Sequence, residues 1–108
     1  MFKKIRPLIF KFSPEVAHSL AIKTLKSNLI PSNKATDTSI LKTKLFGKNI
    51  KNPIGVAAGF DKNAEVYNPL FNLGFGFVEV GTITPKPQYG NPKPRVFRLE
   101  EDNALINR

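Results

Sequence analysis

Cysteine is absent, which removes a disulfide scaffold and thiolate chemistry together. Histidine occurs once, as His18, so no histidine cluster can hold a metal. No apolar run approaches the roughly 18 residues of a membrane-crossing helix. Acidic residues are scarce, 8 Asp and Glu against 17 Lys and Arg, for a net charge of +9. What is present is a chain of 108 residues with 41% hydrophobic and 23% charged content. That balance belongs to a folding sequence of one small domain rather than a disordered one.

The charge is uneven. Residues 1–51 hold eleven basic side chains against Glu15 and Asp37, whereas residues 52–108 hold six of each sign. All the net charge therefore sits in the first half, which points to two parts with different surroundings. The opening Met1-Phe-Lys-Lys-Ile-Arg-Pro7 resembles the basic start of a signal peptide, but Lys11 cuts the apolar run after Phe10, short of an export signal. No cleaved signal is expected, and the protein is placed on the cytoplasmic side.

Phe2, Ile5, Leu8, Ile9 and Phe12 recur at helical spacing, and Pro7 limits how much continuous helix can form. Ser13-Pro14-Glu15 reads as a helix start, with Ser13 as N-cap, Pro14 at the first helical position and Glu15 at the positive end of the dipole. Val16, Ala17, Leu20, Ala21, Leu25 and Leu29 continue the pattern, which predicts a helix over 14–29, ended by Pro31. Two such segments with lysines on their polar sides fit a membrane surface, where apolar faces enter the headgroup boundary and Lys meets anionic lipid. They fit equally a helical hairpin packed on its own domain with solvated lysines. Nucleic acid is the weakest reading, since no aromatic or Gly-rich recognition motif, helix-turn-helix or zinc pattern accompanies the charge. Residues 32–39 are small and polar and read as a linker.

The neutral half has a different texture. Residues 41–53 predict a short hairpin turning around Gly47-Lys48-Asn49. Ile54–Phe60 is an apolar run of strand length, 64–73 a helical pattern stopped by Gly74, and Phe75–Thr84 a second apolar strand ended by Pro85. Strand, helix and strand over this length make a βαβ unit, with a right-handed crossover and a parallel pair. Residues 85–94 hold four of the nine prolines and form a stiff excursion. Residues 95–107 predict a second hairpin, with its turn at Glu100–Asn103, and Arg95, Arg98 and Arg108 read first as surface charges.

Both predicted parallel strands end in small, polar or charged residues, Ala58-Gly59-Phe60-Asp61-Lys62 and Gly81-Thr82. Ligands of parallel α/β folds bind beyond the carboxyl ends of the strands. A flat or phosphorylated ligand could approach the Ala58-Gly59 backbone, with Lys62 supplying positive charge and Thr82 a hydroxyl. Equally, Ala57-Ala58-Gly59 could only let a helix pack close, with Lys62 solvated. Neither a Walker A loop nor G-x-G-x-x-G is present.

Four ordered segments carry a family likeness. Asn52-Pro-Ile-Gly-Val-Ala-Ala-Gly-Phe-Asp-Lys62 resembles the flavin-contacting start of dihydroorotate dehydrogenases. Glu79-Val-Gly-Thr-Ile-Thr-Pro-Lys-Pro-Gln88, Gly90-Asn-Pro-Lys-Pro-Arg-Val-Phe-Arg-Leu99 and Leu105-Ile-Asn-Arg108 resemble the segments that follow. The Ser13-Pro-Glu-Val-Ala-His18 helix resembles the amino-terminal extension of the membrane-associated, quinone-linked class 2 enzymes, which the soluble class lacks.

The resemblance implies an α/β fold, the first two strands of a (β/α)8 TIM barrel, preceded by an amphipathic helical extension. Residues 1–31 would be the membrane and quinone-tunnel extension and 32–108 the start of the FMN-binding barrel. It implies oxidation of dihydroorotate to orotate in pyrimidine synthesis, with electrons passing through FMN to a membrane quinone. By match, Ala58, Gly59, Phe60, Asp61, Lys62 and Thr82 contact FMN. Lys62 also reaches the orotate, where its ammonium stabilises negative charge. Asn107 matches a substrate contact and Arg108 precedes the rest of that loop, while His18 and Arg98 match positions beside the quinone tunnel. The expected partners are dihydroorotate, a membrane quinone and lipid through residues 1–31, with no nucleic acid.

A complete barrel of this kind needs about 250 residues. The matched segments supply two of its eight strands, and the family continues past Arg108 into Gly-Phe-Asn. The catalytic serine base, later Asn and Lys contacts and the phosphate site are not among the matched residues. These 108 residues alone are therefore expected neither to hold FMN tightly nor to catalyse. The alternative is a non-catalytic basic module that binds membrane surfaces or a partner.

Overall fold

The computed structural model describes residues 2–31 and 39–108; the predicted linker, apart from Ser39, lies outside them. Helices α1 (Phe2–Ile9) and α2 (Pro14–Lys26) come first, then a 3-10 turn at Ser39–Leu41. Strands β1 (Thr43–Leu45), β2 (Lys48–Ile50) and β3 (Gly55–Val56), helix α3 (Tyr67–Asn72), and strands β4 (Phe77–Val78), β5 (Val96–Leu99) and β6 (Ala104–Asn107) follow. They form two compact units, Met1–Ala21 with Thr84–Arg108, and Ile22–Ile83, the boundary falling inside α2. Among the described residues no helix is long and apolar enough to cross a membrane.

Pro7 lies inside α1 rather than ending it. It withholds one amide, and the helix closes two residues later as Lys11 and Phe12 donate to the carbonyls of Leu8 and Ile9 at 3.2 and 3.1 Å. Ser13 does cap α2: its Oγ accepts the amide of Val16 at 3.4 Å, and its carbonyl accepts that of Ala17 at 2.9 Å. The helix stops at Lys26, not at residue 29 as the apolar spacing predicts. Ser27 turns its hydroxyl onto the Thr24 carbonyl at 2.7 Å, and Asn28 takes a left-handed φ of 54°, a frequent helix ending for asparagine.

The first hairpin pairs Thr43 with Ile50 and Leu45 with Lys48. Its turn is Phe46-Gly47, one residue earlier than expected. Both residues have positive φ, 47° and 76°, as the mirror-image two-residue turns of hairpins require.

In the second unit β3 and β4 run parallel, Gly55 beside Phe77 and Val56 beside Val78, joined through α3. This is the βαβ unit the sequence predicts, with far shorter regular strands. Backbone hydrogen bonds continue along both segments, from Gly76 N–H to the Ile54 carbonyl (2.8 Å) to Gly81 N–H with the Asp61 carbonyl (3.1 Å). The ladder loses regularity where Gly59 and Gly81 adopt positive φ. Helix α3 spans 67–72 instead of 64–73, because Ala64 sits at φ 56°. The core is Leu25 of α2 with Val66 and Leu70, and Ile22, Ile30, Val56, Phe60, Leu73, Phe75 and Val78 pack around it.

In the first unit β5 and β6 form the predicted antiparallel hairpin, Val96 opposite Asn107 and Leu99 opposite Ala104. The Arg108 amide extends the pairing to the Arg95 carbonyl at 2.9 Å.

Candidate functional site

The parallel alignment of β3 and β4 carries their carboxyl ends to one edge of the second unit. Two hydrogen bonds join the segments beyond them. Gly59 N–H donates to the Gly81 carbonyl at 2.9 Å, and Gly81 N–H to the Asp61 carbonyl at 3.1 Å. Ala58–Lys62 and Gly81–Thr82, widely separated in sequence, are thereby neighbours.

Within this cluster the residues divide by exposure. Ala57, Ala58, Gly59, Lys62 and Thr82 are exposed and Phe60 is half-buried. Gly59 holds φ 99°, and no atom lies within 4 Å of where a Cβ would stand, so open space faces the backbone at that point. The Lys62 ammonium has no partner among the described residues. Asp61 is different. Its carboxylate is buried and accepts the amides of Glu65 and Val66, both at 2.8 Å. The side chain organises the turn into α3, whose own N-cap, Val66, has no side chain able to cap.

Asn52 anchors the opposite end of β3 and is a residue the sequence reading did not single out beyond its motif. Its Nδ2 donates to the Gly74 carbonyl at 2.9 Å and its Oδ1 accepts the Ile54 amide at 3.0 Å. One side chain thus joins the entry of β3 to the α3–β4 turn. Lys26 near the end of α2 pairs with Glu65, beside the Asp61 turn. That ammonium, then the Asn63 amide, holds the Glu65 carboxyl below its ordinary value.

The other candidates belong to the first unit. His18 is exposed on α2, Asn107 lies in β6, and Arg108 follows it. Arg98, read first as a surface charge, is half-buried. Its Nη1 donates to the carbonyls of Phe12 (2.7 Å) and Phe10 (3.2 Å), and its guanidinium lies 4.3 Å from the centre of the Phe10 ring. These carbonyls, just beyond α1, have no helical donor, so Arg98 closes the junction between α1 and α2. Glu15 does more than face a helix dipole. Its Oε1 accepts the amides of Arg95 (2.9 Å) and Val96 (3.2 Å), and the first of these, with support from Lys93, keeps its carboxyl below the ordinary range. Sequence gave no sign of this contact, which spans eighty residues. Arg95 in turn donates to the carbonyls of Tyr89 (2.8 Å) and Asn91 (3.1 Å), bracing the proline-rich excursion.

Comparison with known proteins bears on both units. A family model described as dihydroorotate dehydrogenase matches residues 40–108. A dihydroorotate dehydrogenase (quinone) of Azorhizobium caulinodans is 50% identical over all of this chain, covering 30% of its own length. That of Rhodospirillum rubrum is 57% identical over 94% of this chain and 28% of its own. A crystal structure of DHODH from Eimeria tenella in complex with ferulenol superposes with a TM-score of 0.83 at 50% identity, covering 89% of this chain and 26% of that one. The chain thus spans about 30% of the length of its relatives, and its small α/β architecture fits part of their barrel. With the match running through both the β3–α3–β4 unit and the β5–β6 hairpin, the chain belongs to the dihydroorotate dehydrogenase family.

Proposed function

We propose that these residues form part of a quinone-linked dihydroorotate dehydrogenase, which oxidises dihydroorotate to orotate with FMN and passes the electrons to a membrane quinone. One observation carries this reading: the Gly59–Gly81–Asp61 hydrogen bonds that gather an exposed small-residue backbone, an unpaired ammonium and a hydroxyl at the carboxyl ends of two parallel strands. An open approach to Gly59 suits a flat ring, and Lys62 suits an anion, so the residues fit FMN.

Ala58, Gly59 and Phe60 would line one side of the flavin, with Asp61 fixing the loop and Thr82 offering its hydroxyl. FMN, when bound, supplies the two-electron acceptor for the dihydropyrimidine ring. Lys62 holds negative charge at the substrate carboxylate and the cofactor, a fixed electrostatic task that needs no rearrangement during reaction. Asn107 has an amide that can donate to and accept from the pyrimidine, with Arg108 beside it. None of the 108 residues is assigned the proton-abstracting base. Residues 32–108 serve as the start of the FMN-binding barrel.

Residues 1–31 serve as the extension toward the membrane. Ile5, Leu8, Phe12, Val16 and Leu20 of this segment are exposed, which supports an amphipathic face resting on lipid at the cytoplasmic side. A lipid-soluble quinone would enter there and pass His18 and Arg98. A basic surface-binding module without catalysis would make the same lipid contact, so flavin content separates the two. The test is the full-length gene product containing these residues, purified and examined for an FMN absorbance band and dihydroorotate-dependent quinone reduction. Both are expected. A flavin-free protein inert toward dihydroorotate would leave only the surface-binding module.

A further inference from the structure

We infer that Glu15 is a positioning residue for the quinone site: by tying the first turn of α2 to the start of β5, it holds His18 and Arg98 in fixed relation. The inference rests on the reading of His18 and Arg98 as quinone-side residues.

The geometry has two reciprocal ties, both inside the first unit. On one side an acid of helix α2 takes two backbone amides of the strand segment, Arg95 and Val96. On the other a base of β5, Arg98, gives its guanidinium to two backbone carbonyls of the junction between α1 and α2, Phe10 and Phe12. Each charge is spent on backbone groups, Glu15 on those leading into β5 and Arg98 on those of the α1–α2 junction, and no Glu15–Arg98 ion pair exists among the described residues. Position on each element then decides what is held. His18 lies three residues after Glu15, on the same face of α2. Arg98 lies two residues after Val96, on the same face of β5, the half-buried one. Glu15 therefore grips both elements one step from the two side chains assigned to the quinone. The Ala58–Lys62 cluster belongs to the other unit.

The prediction is a split between substrates. In the full-length enzyme Glu15→Ala should raise the KM for quinone about tenfold, while the KM for dihydroorotate and reduction of bound flavin by dihydroorotate stay within about twofold. Glu15→Gln keeps a neutral acceptor oxygen for the same amides, so its rise in quinone KM should be only about threefold. Where the alanine variant does not accumulate, the glutamine variant carries the test alone. A parental quinone KM in the accumulated variants overturns the inference, as does an equal loss for dihydroorotate, the mark of a merely structural role. Failure of the parent to reduce quinone with dihydroorotate would instead remove the functional reading on which it rests.

Discussion

The Asp61 carboxylate accepts the amide of Val66 at 2.8 Å, and these are the two most completely buried side chains described, at 1% and 0% exposure. A charged group is tolerated there because each of its oxygens meets a backbone donor, Oδ2 from Val66 and Oδ1 from Glu65. The same residue ends the loop proposed to line the flavin, so core and site share one anchor. Asp61→Ala strands two amides and should destabilise the fold by about 2–4 kcal/mol. Asp61→Asn keeps one acceptor oxygen and should cost about 1 kcal/mol. Denaturant unfolding of the full-length protein measures both, and an Asp61→Ala midpoint equal to the parent's would remove the anchoring role.

Gly59 presents a separable case. Its φ of 99° is unfavourable for any residue with a Cβ, yet no atom stands within 4 Å of that position. Gly59→Ala should therefore cost about 1–3 kcal/mol through the backbone alone. Its methyl group would also enter the space left for a flat ligand. The expected outcome is a folded protein with lower FMN occupancy, read from the ratio of flavin to protein absorbance. Parental occupancy would mean that the flavin does not approach this backbone.

Much of this arrangement is legible in the residues, and the illegible part has a physical pattern. Apolar runs flanking a helical stretch are enough to predict the β3–α3–β4 unit, and alternation at 95–99 and 104–107 the second hairpin, because those signals are local. Boundaries fail where one residue's backbone overrides the pattern. Asn28 and Ala64 take left-handed conformations that shorten α2 and α3, and Phe46 with Gly47 moves a turn by one position. The contacts made across the chain are invisible altogether. No spacing rule announces that Glu15 will meet Val96, that Arg98 will close the end of α1, or that Asn52 will hold Gly74. The candidate flavin cluster is legible as two strand ends, Ala58–Lys62 and Gly81–Thr82, and through the family resemblance; what no local signal shows is the pair of backbone hydrogen bonds, Gly59 to Gly81 and Gly81 to Asp61, that makes the two segments neighbours.

Lys62 is exposed and makes no hydrogen bond or ion pair among the described residues. Its loss should leave the fold within about 0.5 kcal/mol of the parent. The proposed electrostatic role predicts a different scale for function. Lys62→Ala in the full-length enzyme should lower kcat/KM for dihydroorotate about 100- to 1,000-fold and weaken orotate binding. Lys62→Arg should recover only part, since a planar guanidinium does not replace a compact ammonium. Steady-state kinetics beside thermal unfolding separates the two effects. A fall in stability without a fall in kcat/KM would reverse the assignment.

Acid should loosen both units through named carboxylates. Glu15 is held below its ordinary value of 4.5 by the Arg95 amide first, and Glu65 by the hydrogen bond from Lys26 first. The folded state therefore favours both ionised forms, and the unfolded chain takes up protons at a higher pH. The resulting stability is complete above about pH 4.5 and is lost as pH falls through the depressed folded values. Neither contribution changes between neutral pH and about pH 5.5, because both groups stay ionised in either state. Glu15→Gln and Glu65→Gln each remove one proton-uptake site. Each variant should lie below the parent in stability at neutral pH and converge on it as pH falls through the depressed folded values, with a shallower acid slope. The Lys26–Glu65 pair is solvent-accessible and screened, so its share should shrink in high salt. Unfolding midpoints measured from pH 3 to 7 at low and high salt give the slopes directly. An acid limb with the same steepness in the parent and both variants would place the acid sensitivity elsewhere.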